Sequence, residues 1–169
     1  MITGAIAAVL GNLSVVLFLI ALVVAAMKTR GSRSASSNVP DAFWREIVFY
    51  AIGLSFVYFA TLHAFFGPWT SRFIGWRPSP YEWELAWAEY GIAAVAILSL
   101  WRGFEMRLAA TFSFSIFSFG AATQHIHEIV CCANDNPGNA GLTLWFGDIA
   151  LPLIALALAA AARRRRVDG

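Results

Sequence analysis

The chain has 169 residues, 59% of them hydrophobic and only 13% charged, with a mean hydropathy of +0.66 and a formal charge of +2. Such a composition excludes an ordinary soluble domain and points to a chain that lives in a bilayer. Its two cysteines are too few for a disulfide framework.

A helix that crosses a membrane needs about 20 mostly apolar residues. Five segments qualify, at residues 2–27, 43–66, 81–101, 108–130 and 142–162. Runs this long and continuous exclude the short alternating strands of a barrel. The expected fold is therefore all-α, a bundle of five transmembrane helices forming one domain over residues 1–169, with a linker at 28–42 and a basic tail at 163–169. If the spans alternate, Lys28, Arg30, Arg33, Arg45, Arg102, Arg107 and Arg163 to Arg166 share one side, and only Arg72 and Arg77 lie on the other. Under the positive-inside rule this bias puts the N-terminus outside and the C-terminus in the cytoplasm of an inner (plasma) membrane. The terminal arginines read as anchors at anionic headgroups, and no nucleic-acid partner is expected. Trp44 and Trp101 then fall at the inner boundary and Trp69, Trp76 and Trp83 at the outer one, as interfacial belts do.

The first segment has no basic residue ahead of it, is too long for a signal sequence and is followed by Lys28 and Arg30, so it reads as a retained helix. Its polar residues are only Thr3, Asn12 and Ser14. It is expected at the periphery or at a subunit contact, as an addition to a four-helix core. After the Ser-rich linker and Pro40, Asp41 is expected to cap the second helix. Residues 67–79, with Pro68, Gly75 and Pro78, read as a structured outer loop. Ser79, Pro80 and Glu82 read as N-cap, first helical residue and capping-box glutamate of the third helix. On the fourth, Thr111, Ser115, Ser118, Ala122 and His125 share one stripe, which suits close helix packing or a polar track beside a cofactor. Glu128 shares that face, and His127 points away. Residues 134–141 form a turn-rich outer loop. In the fifth helix Pro152 withdraws a hydrogen bond from the Asp148 carbonyl, four residues earlier, which concentrates polarity at that point.

Ionisable side chains in lipid mark function by default. His63, Glu84, His125 and Asp148 come from four different segments at matching depth, with Glu89 and Glu128 near them. Two imidazoles with carboxylates can complete a shell for Zn, Mn or Fe. Two histidines can ligate a haem b. A His–carboxylate pair can exchange protons with a quinone headgroup, with Tyr58, Phe59 and Trp87 lining the cavity. The same residues can also simply tie the bundle together. Cys131 and Cys132, adjacent at the outer end of the fourth helix, are candidate redox thiols through a vicinal disulfide, or soft ligands with His127.

The stretch FWREIVFYAIGLSF leading to His63, then GWRPSPYEWELAWAEYGIAAVAILSLW, His125, NPGNAG and Asp148, resembles a little-characterised group of small prokaryotic integral membrane proteins that look distantly DoxX-like. The resemblance spans about residues 43–153. It implies a four-helix bundle, with the N-terminal helix and the cysteine pair outside the shared pattern, and an association with quinone-linked or other redox complexes. It transfers no catalytic residue. The sequence is thus read as an inner-membrane bundle with a His/carboxylate site near the outer surface that binds a metal ion or redox cofactor. His63, Glu84, His125 and Asp148 are the ligands or proton-handling groups, with Glu89 and Glu128 as supporting or alternate ligands. The alternatives are a quinone-binding or proton-handling redox subunit and a non-catalytic accessory subunit, whose partners would be other membrane subunits or a second copy. Whether the protein is an enzyme is left open.

Overall fold

Side chains that must leave water for lipid force the backbone to close its own hydrogen bonds, and every long element is accordingly a helix. The computed structural model describes residues 11–31 and 38–167. The start of the first segment with Thr3, most of the linker with Arg33, and residues 168–169 lie outside the described residues. Helix α1 covers Leu13–Gly31. Helix α2 runs through three pieces, α-helical Val39–Glu46, π-helical Ile47–Leu54 and α-helical Ser55–Ile74. Helix α3 is Tyr81–Arg102 and α4 is Phe104–Cys132. A single helical turn, Pro137–Ala140, leads into α5, which is π-helical over Thr143–Ala150 and α-helical over Leu151–Val167.

By length and apolarity, α1, α2, α3 and the turn with α5 can each cross a membrane. Composition thus marks four spans where five are expected. The fourth helix has 29 residues, or about 44 Å at 1.5 Å per residue, so length is ample. Its apolar run is diluted by Ser, Thr and Gly and is bounded by Arg107 on one side and Gln124 and His125 on the other. One stripe of the small residues faces inward: Thr111, Ser115 and Ser118 are buried together with Ala122 and His125, whereas Ser113, Gly120 and Thr123 are exposed, and α4 packs between α3 and α5. Helix α1 packs along the π-helical part of α2. The start of α2 packs on α5, and its distal half on α3.

Trp44 departs from the belt reading. It is 0% exposed and belongs to the core, whereas Trp101 is 72% exposed. The Trp44 indole donates to Thr111 Oγ1 at 3.0 Å, meets the Phe104 ring edge-on and carries the Arg107 guanidinium 5.0 Å above its face. Arg107 in turn binds Asp41 at 2.8 Å. Asp41 is therefore an ion-pair partner, and the cap of α2 is Asn38, whose side chain accepts from the Asp41 N–H at 3.1 Å. The switch follows from geometry: once Asp41 is in the first turn, its carboxylate can reach across to α4.

The expected loop at 67–79 is also revised. Helix α2 continues to Ile74, bent at Phe66 (φ −128°, ψ 21°) where Pro68 interrupts the hydrogen-bond ladder. It stops at Gly75, whose φ of +85° is costly for any residue with a Cβ. The Trp76 N–H closes that end on the Ser71 carbonyl at 2.8 Å. The capping role of Glu82 is realised, since its carboxylate accepts from the Ser79 N–H at 3.0 Å and also from the Ser71 hydroxyl.

Because Trp44 is a core residue, Trp44→Ala should lower unfolding free energy by about 3 kcal/mol or more, and Trp101→Ala by less than about 1 kcal/mol. Denaturant unfolding in mixed micelles measures both. Equal losses would return Trp44 to the periphery.

Candidate functional site

Toward the end of the bundle where α2 bends, the helices part around a half-open cavity of about 940 Å³. Its walls are mostly apolar and rich in aromatic rings: Phe56 packs edge-on against Phe114 and Phe117, at 5.3 and 5.4 Å between ring centroids. Against that apolar lining, four ionisable side chains reach the cavity from four helices: His63 from α2, Glu89 from α3, His125 from α4 and Asp148 from α5.

They form two His–carboxylate pairs. His63 Nδ1 lies 2.8 Å from Glu89 Oε2, a full hydrogen bond between α2 and α3. His125 Nε2 lies 3.8 Å from Asp148 Oδ2, too far for one. That Asp148 oxygen is buried and has no hydrogen-bond partner among the described residues. Both pairs line the same cavity.

The state of His125 follows from Asn139, which is 0% exposed. The Asn139 amide nitrogen donates to two backbone carbonyls, of His125 at 3.2 Å and of Asn134 at 2.9 Å, so its orientation is set by acceptors that cannot be exchanged for donors. Its Oδ1 accepts from the Trp76 indole N–H at 3.0 Å and faces His125 Nδ1 at 2.8 Å. An oxygen can only accept, so His125 must carry a proton on Nδ1. Nε2 is left as the nitrogen that faces Asp148 and the cavity. The Trp76 ring lies 5.0 Å from the imidazole and flanks it.

The route of α5 puts Asp148 there. Residues Thr143–Ala150 adopt π-helical spacing, and the Leu151 N–H donates to the Phe146 carbonyl, five residues back. The wide turn therefore comes immediately before Pro152. The regular four-residue pattern on which the freed Asp148 carbonyl was expected does not hold there. π-helical turns of this kind concentrate at functional sites.

Of the residues singled out from sequence, His63, His125 and Asp148 reach the cavity, and Glu89 reaches it in place of Glu84. Glu84 is exposed and absent from the lining; at 100° per residue the five positions between them turn it well away from Glu89. Among the described residues no three of His, Cys, Asp and Glu are gathered as a metal shell requires. Tyr58 and Phe59 line the cavity as expected, whereas Trp87 is exposed and does not. Glu128 pairs loosely with Gln124 at 3.4 Å. Cys131 and Cys132 are free and exposed, the first 3.5 Å from His127 Nδ1. Glu128 also holds the Cys132 thiol above its ordinary pKa, which disfavours its thiolate. Asn139 and Trp76 were not singled out as site residues. The NPGNAG stretch signals a turn, and no local pattern shows that one of its amides turns inward under α4.

Fold and cavity together define a helical membrane protein with an apolar-walled chamber into which a few ionisable side chains project. A family described as a family of unknown function (DUF6790) matches residues 11–168, and the chain belongs to it. The match takes in part of the N-terminal helix and the cysteine pair, both outside the pattern of the DoxX resemblance. No curated protein and no solved structure matches the chain.

Nitrogen NMR of the ¹⁵N-histidine protein should show His125 protonated at Nδ1, and Asn139→Leu should convert it to a mixture containing the Nε2–H tautomer. That substitution strands two donors and two carbonyls and should cost about 2 to 3 kcal/mol. An unchanged tautomer in a folded variant would remove Asn139 from its positioning role.

Proposed function

We propose that the cavity binds a membrane-soluble carbonyl or hydroxyl compound of the quinone class and that the His–carboxylate pairs exchange protons with its headgroup. The observation that carries this reading is the pairing of an aromatic chamber with a buried, unpartnered carboxylate oxygen facing a histidine nitrogen whose other nitrogen is already engaged. A flat ring with an apolar tail suits the aromatic walls, and its oxygen suits a place beside the His125–Asp148 pair, whose 3.8 Å separation leaves both groups in want of a partner. A neutral imidazole accepts there from a hydroxyl; a protonated carboxyl or imidazolium donates to a carbonyl. The same site thus serves both the oxidised and the reduced form of such a ligand.

Placement in the bilayer belongs to the same proposal. The ten basic residues on one side support an N-terminus outside and a C-terminus in the cytoplasm of an inner membrane. In that arrangement α4 crosses as a fifth span, its polar stripe shielded by its neighbours, and the cavity opens toward the outer half. A metal-ion or haem site remains the competing proposal, and it has to draw its ligands from two pairs rather than one cluster.

Titration with a short-chain decyl-benzoquinone in nanodiscs, followed by quenching of the cavity tryptophans Trp69 and Trp76, tests the reading. His125→Gln and Asp148→Ala should each weaken binding at least about tenfold, equivalent to about 1.4 kcal/mol, and Glu84→Gln should leave it unchanged. Quenching that is absent, or equal in all four proteins, would count against it. Near-stoichiometric metal or a haem band in the purified protein would favour the competing site.

A further inference from the structure

Behind His63 lies a second, smaller and more open pocket of about 380 Å³. It sits in the bend of α2, between Ala64, Gly67 and Pro68 on one side and Pro78, Ser79 and Glu82 on the other. His63 borders both this pocket and the large cavity. We propose that the surface pocket is a proton port and that His63 is the relay from it to Glu89 and the cavity; the inference rests on the reading of the cavity as a ligand site.

Three features of the bend suit a water-filled port. Pro68 has no N–H to offer the Ala64 carbonyl, so the hydrogen-bond ladder of the helix is interrupted at the wall of the pocket. Glu82 holds the opposite wall through one carboxylate oxygen, which accepts from the Ser79 N–H at 3.0 Å and from the Ser71 hydroxyl. Its second oxygen is buried without a partner among the described residues. It rests against Gly67, where any Cβ would overlap it. Glycine at this position is what allows the carboxylate to approach the helix. Water in the pocket would therefore meet the His63 imidazole beside a helix turn that lacks one backbone donor.

On the far side of the ring, Nδ1 is already bonded to Glu89 at 2.8 Å. The titratable groups around His63 are then Glu82 in the surface pocket and Glu89 on α3, with Tyr90 held next to them by Thr61 at 2.9 Å. His125 and Asp148 lie in the shared cavity. A proton from water adds to Nε2 and gives the imidazolium. The Nδ1 proton passes to the Glu89 carboxylate, leaving a neutral ring and a neutral acid. Glu89 then gives that proton to an oxygen of the ligand and returns to the carboxylate. His125 has no comparable route, because its Nδ1 is committed to the buried Asn139.

The chain has three histidines, so ring-proton exchange with water can be followed for each by NMR of the full-length ¹⁵N-histidine protein in nanodiscs. His63 should exchange at least tenfold faster than His125 in the unmodified protein, a comparison that needs no variant to fold. Ala64→Leu, which fills only the surface pocket, should slow His63 at least tenfold and leave decyl-benzoquinone binding unchanged. Gly120→Leu, which fills the cavity instead, should abolish quinone binding and leave His63 exchange unchanged. Equal exchange at His63 and His125, or exchange at His63 that ignores Ala64→Leu, would overturn the port. The predicted exchange pattern without quinone binding in the unmodified protein would support the port and overturn the ligand reading alone.

Discussion

A carboxylate inside an apolar bundle is tolerable only if a partner from another helix meets it, because its hydration cannot be replaced by hydrocarbon. This requirement organises the whole molecule. Glu46 meets Lys28, joining α2 to α1; Asp41 meets Arg107, joining α2 to α4; Glu89 meets His63, joining α3 to α2. Each of these contacts is 2.8 Å. The fourth pair, His125 and Asp148, joins α4 to α5 and stands open at 3.8 Å. Two of the closed pairs lie away from the large cavity, and the closed His63–Glu89 pair and the open one share its wall. A merely structural cross-link would be expected to close like the others.

The backbone departs from regular α-helix around that site. The π-helical turns Ile47–Leu54 and Thr143–Ala150 lie on α2 and α5. The bend at Phe66 swings the end of α2 over the 134–140 segment, where Asn134 donates to the Ile74 carbonyl at 3.1 Å. That junction seats Asn139 beneath His125 and brings Trp76 onto its face. The hydrophobic core that holds Trp44 and Ile52 borders the chamber through Phe56, Phe114 and Leu151, which belong to both.

Much of the helical plan was legible because lipid demands long apolar runs, and composition alone reports those. The limits of that signal show at α4, where small polar residues lower apolarity while serving helix contact. Trp44 misled for a related reason: interfacial tryptophan is the common case, and only the placement of Thr111 and Arg107 beside it shows that its N–H is satisfied indoors. At the site, depth along the helix was readable but rotation about it was less so. Hence His63, His125 and Asp148 arrive together, while Glu84 gives way to Glu89, which lies five residues on and faces the other way. The tautomer of His125 was beyond reach, since Asn139 acts through a tertiary contact 14 residues away.

The central claim is that the chamber holds a membrane-soluble quinone. Its most direct test is to extract the protein from native membranes in polymer-bounded discs and to analyse the bound lipid by mass spectrometry, with Gly120→Leu treated in parallel. The account predicts near-stoichiometric quinone with the native chain and only the background membrane level with the filled cavity. Equal quinone in the two preparations, or none above background in the native one, would contradict it.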